Sequence, residues 1–167
     1  MSEPKFAVSI DPGRLHFNAA HFITFNNTCE NLHGHNFHAR IEAFGKNNQD
    51  GYVLDFVQVT ELAAKICASL NDKVLLPGQS NVVSVKREDD RIHVESYGQR
   101  FTLPLGNCAV LPVNNTTAEQ LAGYICEQLL NDLQADGGLA GVTTLKVAVE
   151  EADRQWGICQ REVGDVR

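Results

Sequence analysis

The sequence predicts an α+β fold: an antiparallel β-sheet with two helices packed on one of its faces and a β-hairpin inserted between those helices. Three observations predict it. Extended, alternating segments open and close the chain (5–25, 34–45 and 143–162). Two segments, near 56–70 and 114–130, repeat apolar residues at helical spacing. Between them, 81–103 reads as β structure folded around an acidic turn. At 167 residues, the whole chain suits one domain, 1–167.

Residues 5–10 and 14–25 are extended segments separated by Pro12-Gly13, a turn signal. NNTCENLH (26–33) is polar and irregular, hence a loop, and GHNFHARIEAFG (34–45) alternates as a strand. KNNQDG (46–51) is a turn-rich connection. Val59, Leu62, Ala63, Ile66 and Leu70 then line one face of an amphipathic helix, with Asp55 as its N-cap and Gln58 three residues on. NVVSVK and RIHVES flank EDD as a hairpin, followed by GQRFTLP. Leu121, Ala122, Ile125 and Leu129 form the apolar face of the second helix. Either Thr116 with Glu119 or Thr117 with Gln120 caps it, and Asp136-Gly137-Gly138 ends it. TTLKVAVEEA and QWGICQRE are the last two strands.

Composition narrows the function. Fourteen basic against 21 acidic residues leave a net charge of −7, which argues against nucleic acid as a partner. No apolar run approaches the roughly 20 residues that span a bilayer. MSEPKFAVSI lacks a basic-then-apolar leader pattern, so the expected location is cytoplasmic. Five cysteines without a CxxC pair argue against a disulfide framework or a Cys-based structural zinc site. Cys67 and Cys126 fall within apolar helical patterns and read as small buried hydrophobes.

Four of the six histidines lie between residues 21 and 38. On a strand beginning by His33, side chains alternate, so His33 and His35 point one way and His38 the other. The preceding strand, paired antiparallel, carries His21 to the same face and His16 to the opposite one. Three neutral imidazoles from adjacent strands suit Zn²⁺, and three protein ligands leave the open position of a catalytic site. Gly34 lets the backbone come close at this point. The competing reading, surface histidines on a hairpin, stands beside it.

FNAAH (17–21), CENLHGHN (29–36), GYVLDF (51–56), NTTAE (115–119) and VAVEEA (147–152) occur in that order. Together they resemble the 6-pyruvoyltetrahydropterin synthase family, which includes 6-carboxytetrahydropterin synthase. The C-x-x-x-H-G-H spacing is more similar to the bacterial branch, and the motifs reach across nearly the whole chain. The resemblance implies a tunnelling fold assembled into trimers or hexamers with active sites between subunits. It implies a small-molecule pterin substrate such as 7,8-dihydroneopterin triphosphate, and a lyase giving a 6-substituted tetrahydropterin, as used in tetrahydropterin or queuosine biosynthesis. His21, His33 and His35 match the zinc-ligand positions, Cys29 the catalytic thiol, and Glu151 the pterin-anchoring glutamate. Thr117 and Glu119 match the motif beside the pterin pocket.

The residues themselves agree in part. Leu145, Val147 and Val149 share a strand face that Glu151 continues, with Glu150 on the solvated face. A carboxylate there can accept two adjacent pterin N–H groups. Cys29, four residues before His33, lies near the metal, where a dication favours thiolate. It is a candidate to move a proton at the substrate side chain.

One departure bears on the product. The family pattern carries Asp-His after the first helix, and here Asn71-Asp72 stands at that place. Asp72 or, from the insertion, His93 is the candidate replacement. Residues 76–108 are also longer than in common family members. The alternatives are therefore a paralogue with another pterin product, in folate or methanopterin synthesis, and a non-catalytic pterin- or purine-binding protein.

Overall fold

The computed structural model describes residues 5–164. Its strands are β1 (Phe6–Ile10), β2 (His16–His21), β3 (Thr24–Phe25), β4 (Thr28–Cys29), β5 (His33–Gly45), β6 (Lys73–Pro77), β7 (Ser84–Glu88), β8 (Arg91–Ser96), β9 (Gln99–Pro104), β10 (Cys108–Leu111), β11 (Val142–Ala152) and β12 (Gln155–Glu162). Two helices, α1 (Phe56–Leu70) and α2 (Ala118–Ala135), complete a mixed α+β fold.

The 13-residue β5 organises the main sheet. β2 pairs antiparallel with its first half, from His21 opposite His33 to His16 opposite His38. β1 pairs with its second half, from Ile10 opposite Ile41 to Phe6 opposite Gly45. The expected Pro12-Gly13 break is a 3₁₀ turn, Pro12–Arg14, that separates the two strands along one side of β5. β11 lies along the other side and β12 beyond it, giving the order β10-β6-β2-β5-β11-β12.

The sheet is mixed, which corrects the antiparallel expectation. β6 runs parallel to β2, and β10 parallel to β6. Parallel neighbours need a crossover connection. β5 and α1 connect β2 to β6, and the 78–107 insertion connects β6 to β10. Neither short strand carries enough alternation to be read from the sequence. The insertion is a three-stranded antiparallel sheet, β7-β8-β9, rather than a hairpin alone. The expected loop 26–33 likewise holds the turn and the second strand of a tight hairpin, β3–β4. Its turn residues Asn26 and Asn27 take φ of 47° and 58°, the left-handed pair that a two-residue hairpin turn requires.

Capping follows the sequence closely. The Asp55 carboxylate accepts from the amides of Val57 (2.7 Å) and Gln58 (3.3 Å). The Gln58 side chain does not fold back to close a capping box; its amide donates to Asp136 at 3.4 Å. Of the two options for α2, Thr117 is the cap, accepting from the Gln120 amide.

Phe17, Phe37, Ala39, Ile41, Leu145, Val147 and Val149 enter one core with Val59, Ala63 and Leu70 of α1 and Leu121, Ile125 and Leu129 of α2. Fully burying each large apolar side chain stabilises the fold by about 1.5–3 kcal/mol. Phe17 and Phe37 stack at 4.9 Å between centroids, on the same strand pair that carries the histidines. Cys67 and Cys126 are buried as expected, and burial pushes both thiols up to about 12.

Candidate active site

Cross-strand register brings the histidines together. His21 faces His33 directly, and His35 lies opposite Ala19 on the same face as Phe37. The ring centroids are 4.7 Å apart for His21–His33, 4.9 Å for His33–His35 and 5.2 Å for His21–His35. Their candidate ligand nitrogens all lie within 4.8 Å of one another, and no other metal-capable cluster exists among the described residues. Phe37 presents a perpendicular ring to His21 and a tilted edge to His35, walling the cluster on the core side. His16 and His38 occupy the opposite face, as alternation requires.

Two rings are already oriented through Nδ1. His21 Nδ1 donates to the Thr116 carbonyl at 2.8 Å, and His33 Nδ1 donates to the Asn31 carbonyl at 2.8 Å. Donation through Nδ1 leaves the Nε2 lone pair free, the tautomer that a metal-binding imidazole adopts. His21 Nε2 is buried and has no hydrogen-bond partner. An orphaned buried acceptor is costly unless a further atom meets it. Burial holds the His21 pKa below the ordinary imidazole value; His33 and His35 add to this, while the Thr116 bond and Glu151 oppose it. The donor set therefore fits a divalent ion that takes neutral nitrogen ligands.

Glu151 joins the cluster. Its Oε1 lies 3.8 Å from His35 Nε2 and 4.0 Å from His21 Nε2. The β11–β12 register slips between Glu150 and Ala152, so Glu151 is a bulge residue. Strand alternation carries Glu151 to the face of Val147 and Val149, which is the face of Ala39, Phe37 and His35 on β5, as the sequence predicts. Glu150, read as solvated, is instead only 21% exposed and lies 3.7 Å from His38 on the opposite face.

The other expected residues are placed less uniformly. Asp72 is exposed at φ 56°, tied by its amide to the Asn18 carbonyl and by Oδ2 to the Asn71 side chain. It lines an open groove of about 450 Å³ with Asn18, Gly34, His35 and Lys73. His93 lies outside this groove, 3.3 Å from Glu88 and hydrogen-bonded to Thr102. Glu119 lines a separate hollow between α2 and β12, with Tyr124, Glu127 and Arg161. At Gly34 an added Cβ would sit 3.4 Å from the Ala19 carbonyl oxygen, close but not prohibitive.

Cys29 is 9% exposed and is absent from the metal-capable cluster. It packs with Phe22, Leu76, Val83, Ile92 and Val94, a second core built largely by the insertion. Burial raises its pKa most, Ser96 lowers it by hydrogen bonding, and the Glu30 charge raises it. Thr116 and Asn115 carry roles that the sequence reading missed. The Thr116 hydroxyl donates to the Phe22 carbonyl at 2.7 Å, and Asn115 clamps Thr24 through both its amide and its carbonyl. The sequence signals at this place were the NNTT run before α2, which reads as a cap, and the NTTAE motif that overlaps it.

The sequence model of a family described as 6-pyruvoyl tetrahydropterin synthase matches residues 13–162. A Methanocaldococcus jannaschii protein, provisionally named 6-carboxy-5,6,7,8-tetrahydropterin synthase, is 27% identical over 92% of this chain and 93% of its own. The Plasmodium falciparum 6-pyruvoyl tetrahydropterin synthase structure superposes with a TM-score of 0.90 at 27% identity, covering 96% of this chain and all of that one. A Plasmodium vivax structure, described as altered at a catalytic glutamate, gives 0.89 at 26% identity with the same coverage.

Proposed function

The chain belongs to the 6-pyruvoyl tetrahydropterin synthase family, and from that premise we propose that it is a zinc-dependent lyase acting on a dihydropterin such as 7,8-dihydroneopterin triphosphate. The observation that carries the zinc reading is the buried His21 Nε2, which has no hydrogen-bond partner, beside two further imidazoles. His21, His33 and His35 would hold the ion, with His21 and His33 kept in the metal-ready tautomer by the Thr116 and Asn31 carbonyls. Bound there, Zn²⁺ supplies Lewis acidity toward a substrate oxygen.

The remaining roles fall to the chain's own groups. The Glu151 carboxylate accepts two parallel N–H groups of the pterin ring and so fixes its orientation. Thr117 and Glu119 flank the pocket as it is completed between subunits of a trimer or hexamer; the unpaired outer edges of β10 and β12 are compatible with such assembly. Cys29 moves a proton at the substrate side chain, and Asp72, in the groove that His35 also lines, takes the place of the usual relay histidine. The single domain 1–167 carries this whole apparatus. Among the described residues no helix is long and apolar enough to cross a membrane.

A second reading has a specific observation behind it. The Cys29 thiol is held in an apolar cluster, and burial raises its pKa. The next residue, Glu30, is half-buried, and the P. vivax relative has a glutamate described as a catalytic residue. In this reading Glu30 takes the proton-transfer role from the thiol, and the product differs accordingly.

One experiment separates these outcomes. Zinc-loaded protein is incubated with 7,8-dihydroneopterin triphosphate, and pterin products and released acetaldehyde are followed by mass analysis. Loss of turnover in Cys29→Ala with zinc retained supports the thiol, whereas loss in Glu30→Gln alone supports the carboxylate. A wild-type protein that holds zinc yet turns over no dihydropterin overturns the substrate assignment. Full zinc stoichiometry in His33→Ala would overturn the ligand set.

A further inference from the structure

We propose that the inserted β7-β8-β9 sheet is a positioning element for the Cys29–Glu30 loop, acting through Gln99 and Phe101; the proposal rests on the reading of that loop as catalytic.

Three contacts converge from one short region of the insertion. Gln99, the first residue of β9, donates from its side-chain amide to the Cys29 carbonyl at 3.0 Å, across 70 residues of chain. Ser96, the last residue of β8, is 2% exposed, sits beside the Cys29 thiol and donates to the Val82 carbonyl at 2.9 Å, while the thiol itself donates to the Glu30 carbonyl at 3.5 Å. Phe101 stacks on Phe22 with centroids 5.4 Å apart and planes 23° from parallel. Phe22 directly follows the buried ligand candidate His21. The insertion thus grips the chain just after His21 and again four residues before His33.

The loop has little else to hold it from that side. Its own hairpin, β3–β4, contributes two residues per strand, and hairpins of that size are marginal alone. Elsewhere it is anchored through the Glu30 amide on the Ile23 carbonyl and through Asn115 on Thr24. The insertion supplies Val83, Ile92 and Val94 to the cluster that encloses the thiol. Gln99 bonds the Cys29 carbonyl and is not among the residues lining the groove beside His35, so it acts through Cys29 and Glu30 rather than on substrate.

The test reads loop order and chemistry separately. Gln99→Met keeps length and removes the donor; Phe101→Leu weakens the stack and serves as the second variant should the first fail to fold. Arg100→Ala breaks only the exposed pair with Glu95 and is the control. Alkylation of Cys29 by iodoacetamide is followed at that peptide by mass analysis in zinc-loaded protein. Losing one neutral hydrogen bond is expected to raise its rate about fivefold in Gln99→Met, with kcat lowered similarly and KM unchanged. Phe101→Leu is expected to move both in the same direction, and Arg100→Ala neither. Cys29 alkylation equal to wild type in both test variants overturns the proposal, and so does an equal rise in Arg100→Ala. If wild type turns over no dihydropterin, the functional reading falls, while the alkylation rates still decide this one.

Discussion

His21 and Thr116 are 95 residues apart in sequence, yet the imidazole donates from Nδ1 to the Thr116 carbonyl at 2.8 Å in a buried contact. The Thr116 hydroxyl returns to the same strand region by donating to the Phe22 carbonyl. The lead-in to α2 is thereby locked to the end of β2, and one ligand ring is oriented before any ion arrives. Outer-shell bonds of this kind set ring angle and basicity.

Thr116→Val keeps the shape and strands the Phe22 carbonyl. An unpaired buried carbonyl is expected to cost about 1–3 kcal/mol. Urea unfolding of the zinc-free protein measures this. Zinc affinity should fall about tenfold as the His21 anchor loosens, which a competition titration with a chelator reads. An unchanged urea midpoint would show that the hydroxyl contact contributes nothing.

Glu151→Gln removes the charge while preserving size. It should weaken binding of a pterin by at least about tenfold, the scale of a lost charge-assisted pair. Zinc stoichiometry should stay at the wild-type value, because Glu151 approaches His21 and His35 only to 4.0 and 3.8 Å. Equal pterin dissociation constants for the two proteins would remove Glu151 from the anchoring role.

Acid should destabilise the zinc-free protein through His21. Burial lowers its folded-state pKa below the unfolded value of 6.5. The unfolded chain therefore binds the proton more readily, and stability is fully present above 6.5 and declines as pH falls through the folded value. Thermal unfolding followed between pH 8 and pH 5 should show this decline, reduced in a His21→Gln variant. A decline of the same size in that variant would place its origin elsewhere.

Gly157→Ala tests how tightly α2 sits on β12. A Cβ there would lie 2.3 Å from Ala118 C and Glu119 N, both backbone atoms that cannot swing aside. The start of α2 must shift, and overpacking of this kind costs about 1–3 kcal/mol. A midpoint in urea equal to wild type would contradict the close approach.

The sequence alone determined the parts governed by local periodicity. Two-residue alternation placed His21, His33 and His35 on one face and His16 and His38 on the other, as the register of β2 and β5 bears out. Helical spacing and short-range capping located α1, α2 and the Asp55 N-cap and narrowed the α2 cap to Thr116 or Thr117, of which the structure takes Thr117. Motif order pointed to the family. Tertiary structure decided everything that depends on contacts across long stretches of chain. The parallel places of β6 and β10 come from crossovers that short apolar runs do not announce. The bulge at Glu151 is a property of two strands meeting, not of either one. Cys29 sits in a core supplied by residues 83–94, and His21 is oriented by a carbonyl 95 residues away. Side-chain direction along a strand is a local property; which distant backbone atom waits for it is settled only when the sheet closes.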